Sequence, residues 1–373
     1  MTAFWKALTV FVSTIIGVGI FGLPWVAFKS GFFVLFGYFL ILGAVAIFVH
    51  LILGEIVVGT KAERRFPGYV KQYLGKRWGT VSFIAMCAGL FGAQLAYLVV
   101  GGSFLANILT PYLGGSVLIY VLVFFILGSL LIYRDIKSIC LTDFLILILF
   151  LGILAFFVVK SLPHINPVNF LQTNFKYIFL PYGVIVFSLW GSAILPEVKE
   201  ILGKRKKDLR KVIISGILIS AFVYLIFVMA ILGASGTATS ENAISGFGLV
   251  IGGNIAKIGF IFGLLTCFSS YLSLGLTLKK IFWYDIKMPE KTSWAVASFV
   301  PIAMFLLGAR EFINIIGFTG ALAGGVEGFT LIFLYRSFLK KKKASQKMNP
   351  LYFLLAIFFI LGMIAEISHF FRG

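Results

Sequence analysis

The sequence is poor in the residues from which catalytic and metal sites are usually built. It contains three cysteines, three histidines and 13 Asp and Glu residues in 373 positions. Cys87, Cys140 and Cys267 are widely separated, and their odd number and irregular spacing indicate neither a disulfide framework nor a zinc site. The histidines are isolated in the sequence, and no Ser-His-Asp set is recognisable. The sequence therefore predicts neither an enzyme nor a protein with a bound cofactor.

Charged residues of any kind are scarce, at 12%, whereas hydrophobic residues make up 60% of the chain and the mean hydropathy is +1.06. This composition excludes a soluble globular protein. About 20 apolar residues span a bilayer, and runs of that length recur along the whole chain. We predict an all-α integral membrane protein without a soluble domain. The eleven predicted transmembrane spans are residues 4–28, 31–59, 78–107, 115–133, 138–160, 177–202, 212–234, 248–279, 292–309, 311–335 and 350–371.

The net charge of +19 does not indicate nucleic-acid binding, because the basic residues follow the predicted topology. All but six of the 32 Lys and Arg residues lie at the amino terminus or in the loops after spans 2, 4, 6, 8 and 10. The positive-inside rule makes these loops cytoplasmic. We expect a multi-pass protein of the cytoplasmic membrane, with its amino terminus inside and its carboxyl terminus outside. Its expected partners are the lipid bilayer and a small substrate, and no oligomeric state is indicated.

Span 1 contains an unusual concentration of residues that weaken helices. The chain reads IGVGIFGLP over Ile16–Pro24, and span 6 reads GSAILP over Gly191–Pro196. Glycine and proline disrupt the helical hydrogen-bond ladder, and a backbone group freed inside a bilayer needs a partner in protein, water or ligand. One such motif alone is more often a packing kink. Because the two motifs hold corresponding positions, we predict that spans 1 and 6 are broken helices that form one binding site.

Further matches between the two halves indicate an internal repeat. Tyr97–Gly101 in span 3 reads YLVVG and Tyr271–Gly275 in span 8 reads YLSLG, while Arg134-Asp135 after span 4 matches Arg310-Glu311 after span 9. Since each half has an odd number of spans, the halves must insert in opposite orientations. Inverted repeats with broken helices are typical of secondary transporters. The predicted units are 1–160 for the first five spans, 177–336 for the inverted second five, and 350–371 for an additional span 11.

The opposite orientations of the two breaks predict a zwitterionic ligand. The amides of Gly17 to Ile20 begin the second half of span 1, where a helix favours a carboxylate. The carbonyls from Phe187 to Trp190 end the first half of span 6, where a helix favours a cation. An amino acid carries both groups on one carbon. We therefore predict a secondary active transporter for amino acids.

The motifs resemble those of a known group of transporters. Ile16–Pro24 is similar to the first-helix signature of the amino acid-polyamine-organocation superfamily, and particularly of its amino acid/auxin permease branch. Ala93–Tyr97, Phe187–Val198 and Ser269–Leu272 resemble the same branch. This resemblance implies a LeuT-type fold that holds its substrate between spans 1, 3, 6, 8 and 10. It also implies alternating access, in which spans 1, 2, 6 and 7 rock against the rest.

The same resemblance implies roles for individual residues. The substrate amine would meet the carbonyls of Ile16, Phe187 and Trp190. Its carboxylate would meet the amides of span 1 alone, because Val18 replaces the Ser or Ala that is common in the superfamily. Tyr97 and Tyr271 are equally well explained by packing shared between the repeats. The candidate substrate-binding residues are Ile16, Gly17, Val18, Gly19, Ile20, Gln94, Tyr97, Phe187, Trp190, Gly191, Tyr271 and Thr319.

A sodium ion is one candidate for the coupling ion. Thr266, Ser269 and Ser270 share one face of span 8, and the resemblance implies that they bind sodium together with the carbonyls of Ser13 and Ile16. Hard cations prefer such oxygen ligands. The alternative is that these hydroxyls bond the carbonyls of their own helix.

A proton is the other candidate. Carboxylates within a membrane are costly and are functional candidates by default. Glu197 follows the proline of span 6, and Glu327 lies among glycines in span 10. We predict cation-coupled symport with sodium or a proton. The alternatives are an amino acid exchanger and a membrane amino acid sensor that does not transport, although the chain has no large soluble tail of the kind that would favour a sensor.

Overall fold

The computed structural model describes residues 2–60, 64–134, 140–342 and 350–372, and these residues are almost entirely helical. Within these ranges the one extended pairing is an isolated bridge between Gly31 and Thr173. The predicted all-α class is confirmed. Asp135, which belongs to one of the predicted repeat matches, lies outside the described residues.

The α-helices follow one another along the whole described chain. In order, they are α1 Ala3–Ile15, α2 Gly19–Ser30, α3 Phe32–Gly59, α4 Phe66–Leu74, α5 Lys76–Leu113, α6 Val117–Tyr133, α7 Cys140–Ser161, α8 Leu180–Leu189, α9 Leu195–Leu202, α10 Leu209–Ser235, α11 Ile244–Ile251, α12 Gly253–Lys280, α13 Glu290–Leu306, α14 Phe312–Thr319, α15 Gly325–Lys341 and α16 Pro350–Arg372.

Several stretches are long and apolar enough to cross a bilayer. Of the described residues, six helical stretches meet this requirement, and α1 with α2 makes a seventh if the bent pair is one span. The shorter helices Val117–Tyr133 and Tyr352–Ser368 are also apolar. The protein is therefore a multi-pass membrane protein.

The first predicted break is present between α1 and α2, whose axes differ in direction by 53°. α1 ends at Ile15, and Ile16 leaves the helical region with φ −75° and ψ 89°. α2 begins at Gly19 and contains Pro24 one turn later. Because proline has no N–H, it cannot bond the carbonyl four residues earlier, which weakens the ladder just after the break.

The second break separates α8 from α9. α8 ends at Leu189, and Trp190 is extended with φ −87° and ψ 108°. A single turn of 3₁₀-helix over Ser192–Ile194 leads into α9, whose second residue is Pro196. Proline is favoured at this position because the amide that it lacks would have no helical partner.

The structure also contains elements that the sequence analysis leaves out. α4 forms within the predicted loop between spans 2 and 3, and α11 forms a separate helix where span 8 was predicted to begin. Gly252 separates α11 from α12 with φ +108°, a conformation that glycine adopts readily. A π-helical turn over Gly320–Gly324 joins α14 to α15. Such turns widen a helix locally and often occur at functional sites.

α8 and α14 cross at two facing glycines. A Cβ atom on Gly183 would lie 2.7 Å from the carbonyl carbon of Gly317, so the two backbones are in direct contact. The Glu366 side chain of α16 is buried against Gly317. This crossing positions the first half of span 6 against span 10.

We predict that Gly183→Ala lowers the thermal stability of the purified protein, because the added methyl group has no room at this crossing. Overpacking of this kind costs about 1–3 kcal/mol. Thermal unfolding in detergent, followed by size-exclusion chromatography, measures the effect. Gly152→Ala is the matched control, because a Cβ atom on Gly152 meets nothing within 4 Å. Equal unfolding temperatures for the two variants would contradict the close packing.

Candidate functional site

The two breaks lie directly against each other in the interior. A Cβ atom on Gly19 would lie 3.1 Å from Cβ of Ser188 in α8, and one on Gly191 would lie 2.8 Å from Cγ1 of Ile15 in α1. Each break therefore presents a glycine to the half-helix of the other. This contact brings the amide end of α2 and the carbonyl end of α8 to one place, as the sequence predicts.

Tyr97 of α5 contacts the first break. The Val18 amide donates a hydrogen bond to the Tyr97 hydroxyl over 3.2 Å, and the Ser270 side chain of α12 faces the same hydroxyl. The Tyr97 hydroxyl also lies against Gly17. The structure thus brings three of the predicted elements, spans 1, 3 and 8, together at one hydroxyl group.

Tyr224 of α10 was not predicted, yet it joins both breaks. Its hydroxyl lies 2.6 Å from the Ile15 carbonyl oxygen and 2.9 Å from the Ser188 carbonyl oxygen, and the Gly17 amide faces it. The side chain is fully buried. One phenol group therefore satisfies backbone groups that the breaks leave without helical partners. No local signal in the sequence marks this tyrosine among the apolar residues of α10.

His50 of α3 holds the second break, although the sequence analysis treats every histidine as isolated. Its Nδ1 atom lies 2.7 Å from the Ala46 carbonyl oxygen, and its Nε2 atom lies 3.0 Å from the Gly191 amide nitrogen. A carbonyl can only accept, so Nδ1 carries the proton and donates it. Nε2 then accepts from the Gly191 N–H. The fully buried ring is therefore neutral.

Trp190 and Glu327 connect the second break to α15. The Trp190 indole donates to Oε2 of Glu327 over 2.8 Å, and its ring meets the His50 ring edge to face at 5.4 Å. The other carboxyl oxygen of Glu327 is buried and has no hydrogen-bond partner in the described parts of the chain. Ser192 is a further polar neighbour of this carboxyl group.

Gln94 and Tyr271, two of the predicted substrate-binding residues, lie next to each other in the interior. Both are fully buried, and the Tyr271 hydroxyl faces the Gln94 amide. Neither side chain has a hydrogen bond of good geometry to a described residue. The Tyr271 ring packs edge to face against Phe124 at 5.3 Å. Thr319 lies against Gly92 of α5 at the start of the π-helical turn, and the next residue, Gly320, lies against Phe187 of α8.

Two hydroxyls near the predicted sodium site bond within their own helices. Ser13 donates to the Val10 carbonyl and Thr266 donates to the Phe262 carbonyl, each over 3.0 Å. The Ser270 side chain faces the Tyr97 hydroxyl. Sodium binding by the carbonyls of Ser13 and Ile16 and by residues of span 8 stays a prediction. The described residues contain no group of three His, Cys, Asp or Glu side chains that could hold a metal.

The two proton-coupling candidates occupy different environments. Glu197 is exposed in the first turn of α9, whereas Glu327 is enclosed beside Trp190. Among the ion pairs between described residues, none involves either carboxylate. Glu327 is therefore the candidate that the geometry connects to the breaks.

Several solved structures have a similar arrangement of helices. The crystal structure of MhsT in complex with L-phenylalanine matches with a TM-score of 0.70 and 14% identity, over 97% of each chain. The inward-facing conformation of Mhp1 matches with a TM-score of 0.73 and 14% identity, over 99% of this chain and 89% of that one. At this identity the likeness shows the fold alone. It confirms the coarse prediction of a LeuT-like fold.

Two broken helices that meet inside a bundle of apolar helices are typical of secondary transporters. The profile of the tryptophan/tyrosine permease family matches residues 1–369, and the chain belongs to this family. The low affinity tryptophan permease of Escherichia coli O157:H7 is 24% identical over 356 residues, which cover 86% of this chain and 84% of that protein. The protein of strain K12 with the same description matches equally. These similarities support amino acid transport and are to permeases, not enzymes.

We predict that His50→Phe destabilises the protein, because phenylalanine keeps the ring but leaves the buried Gly191 amide without an acceptor. An unsatisfied buried donor costs about 1–3 kcal/mol. Thermal unfolding in detergent measures the loss. His164→Phe, on an exposed loop position, is the control. If His50→Phe and His164→Phe unfold at the same temperature, the bond to Gly191 contributes nothing to stability.

Proposed function

We propose that the protein is a secondary active transporter that carries aromatic amino acids, tryptophan foremost, across the cytoplasmic membrane by cation-coupled symport. The contact between the two breaks is the observation that carries this proposal. It brings together the amide end of α2 and the carbonyl end of α8, which favour opposite charges. The aromatic class follows from the family and from the tryptophan permeases that the chain resembles.

The proposed substrate pose follows from these two ends. The carboxylate binds the amides of Gly17 to Ile20, and the ammonium group binds the carbonyls of Ile16, Phe187 and Trp190. Tyr97 now bonds the Val18 amide, so substrate binding must exchange or extend this hydrogen bond. Tyr224 bonds the neighbouring carbonyls of Ile15 and Ser188. Gln94, Tyr271, Gly191 and Thr319 complete the proposed set on the side-chain end of the substrate.

The proposal includes eleven spans, ten of them in two inverted repeats. The repeats are residues 1–160 and 177–336, with span 11 at 350–371, and the amino terminus is cytoplasmic while the carboxyl terminus is outside. Helices in each predicted span and breaks at corresponding positions support this division. It would place the family within the amino acid-polyamine-organocation superfamily.

Hydrogen bonds at the breaks support a rocking movement of spans 1, 2, 6 and 7. Tyr224 of span 7 joins Ile15 of span 1 to Ser188 of span 6, and His50 of span 2 joins Gly191 of span 6. All four spans are thus connected through buried polar contacts. At the breaks, two hydrogen bonds between described residues lead out of this bundle, from Val18 to Tyr97 and from Trp190 to Glu327. Away from the breaks, Tyr335 of span 10 donates to Glu55 of span 2 over 2.8 Å. Rocking must change these outward bonds.

We propose a proton as the coupling ion and Glu327 as its carrier. In the Glu327 carboxyl group, one oxygen accepts from the Trp190 indole, and the other is buried without a hydrogen bond of good geometry to a described residue. Ser192 is a polar neighbour of this group, and His50, a neutral ring, contacts the same Trp190. Without a cation to balance it, a carboxylate in this environment is costly. A proton that binds here and leaves when the bundle moves would couple its own gradient to transport. Sodium at Ser13, Ile16, Thr266, Ser269 and Ser270 is the alternative.

We predict that proteoliposomes containing the protein accumulate labelled L-tryptophan when a proton gradient is imposed, and take up L-lysine poorly. Uptake of each amino acid with proton and sodium gradients imposed separately provides the measurement. Empty liposomes are the control. Uptake that requires amino acid inside the vesicles would identify an exchanger, and binding without uptake would identify a sensor.

We predict that Glu327→Gln abolishes proton-driven accumulation of tryptophan while exchange of internal for external tryptophan persists. The amide oxygen of Gln can still accept from the Trp190 indole, but an amide side chain cannot take up and release a proton as a carboxylate does. Glu197→Gln is the matched control and should retain accumulation. Loss of accumulation in Glu197→Gln with normal Glu327→Gln would move the carrier to Glu197. Sodium dependence that is lost on replacing Ser269 and Ser270 by Ala would exclude proton coupling.

A further inference from the structure

A cavity lies apart from the breaks, on the side of the protein where α5 ends and α14 begins. We call it the outer cavity, because the positive-inside rule assigns this face to the outside. Its volume is about 430 Å³, within the roughly 300–1,000 Å³ range of small-ligand pockets. Its walls come from α5, α6, the end of α13, the start of α14 and the loop before α11.

One acidic and one basic residue line the outer cavity. Glu241 lies in the loop before α11, and Arg310 lies between α13 and α14. Neither forms an ion pair within 4.0 Å with any residue in the described ranges. A cavity with both charges and no direct pair between them is complementary to a ligand that carries both charges itself.

The Arg310 side chain is held in place by the end of α13. Its Nε atom donates to the Phe305 carbonyl over 3.2 Å, and its guanidinium carbon lies 5.2 Å from the centre of the Phe305 ring. A guanidinium group has five N–H donors, so the terminal nitrogens remain available. Such a fork suits a carboxylate, which can accept two hydrogen bonds in one plane.

The loop that carries Glu241 is ordered by its own hydrogen bonds. Asn242 accepts from the Ser245 amide over 3.0 Å and donates to the Ser245 hydroxyl over 2.9 Å, and Ser240 accepts from the Gly246 amide over 2.8 Å. Ala243 has φ +60°, which is uncommon for a residue with a side chain and persists only where the surroundings enforce it. The loop therefore presents the Glu241 carboxylate at a defined position.

The electrostatic surroundings of Glu241 favour a cationic partner. Partial burial raises the pKa of Glu241, and the neighbouring Glu311 carboxylate raises this pKa further, while Lys29 lowers it. A bound ammonium group would offset the first two effects. The remaining wall has an apolar part, which includes Val99, Val121 and Phe312, and a polar part formed by serines and Asn242.

We propose that the outer cavity is a second amino acid site, in which Arg310 binds the carboxylate, Glu241 binds the ammonium group and the apolar wall receives the side chain. This inference rests on the proposed transport of amino acids. α5 links the two sites, since Val100 of the outer cavity is one helical turn from Tyr97 at the first break. The outer site captures the substrate on its way to the breaks.

Kinetics of single-charge variants test this site. Arg310→Gln and Glu241→Gln should each raise KM for labelled L-tryptophan uptake in proteoliposomes about tenfold, as expected when a hydrogen bond to a charged group is lost. Vmax should stay near that of the unaltered protein. Lys257→Gln removes a positive charge from the same face but does not line the cavity, and its KM value should be unchanged.

Two further variants separate binding from folding. Arg310→Lys and Glu241→Asp keep the charges, so KM should return toward the normal value. If Arg310→Gln and Glu241→Gln leave KM unchanged, or if Lys257→Gln raises KM equally, the outer site is disproved. If the unaltered protein takes up no amino acid, the proposed function fails instead. A separate measurement is equilibrium binding of labelled L-tryptophan, which should find two sites in the unaltered protein and one in Arg310→Gln. One site in both proteins would also overturn the inference.

Discussion

Every backbone polar group inside a bilayer needs a partner, and this requirement governs the centre of the protein. The breaks in spans 1 and 6 release amides and carbonyls where no water is available to satisfy them. Side chains from other spans supply the missing hydrogen-bond partners. Tyr97 bonds Val18, Tyr224 bonds Ile15 and Ser188, and His50 bonds Gly191. A broken helix is thus stable only together with particular neighbours.

This constraint also divides the helices into groups. Tyr224 and His50 connect spans 1, 2, 6 and 7 to one another, so a movement of one half-helix carries the others. At the breaks, Tyr97 and Glu327 connect this group to spans 3 and 10, and a further bond from Tyr335 to Glu55 joins span 10 to span 2. The bonds to Tyr97 and Glu327 lie at the same breaks as the bonds within the group. Binding at the breaks can therefore alter the outward bonds directly, which is how a small ligand could change the position of a bundle of helices.

Local features of the sequence were enough to predict the helical class and the positions of both breaks. Long apolar runs identify the spans, and Gly17, Gly19 and Gly191 with nearby prolines mark where the ladder fails. These signals are local because helix formation depends on hydrogen bonds between residues four apart. α4, the separate α11 and the π-helical turn at Gly320–Gly324 were missed, since short helices and turns depend on neighbours that hydropathy does not reveal.

The partners of the breaks could not be predicted, because they are distant in the sequence. His50 lies 141 positions from Gly191, and Tyr224 lies 209 positions from Ile15. Nothing around either residue distinguishes it from other aromatic side chains in apolar helices. Tyr97 was identified through the repeat and the family resemblance, although its bond to Val18 required the packed structure. The hydroxyls of Ser13 and Thr266 bond carbonyls of their own helices, a common local arrangement for Ser and Thr in helices.

The most direct measurement is an experimental structure of the protein with L-tryptophan bound, at a resolution that orients the amino acid. The substrate carboxylate should lie within hydrogen-bond distance of the amides between Gly17 and Ile20. Its ammonium group should lie against the carbonyls of Phe187 and Trp190. A substrate bound in the reverse orientation, or bound away from both breaks, would contradict a zwitterion site formed by the two broken helices.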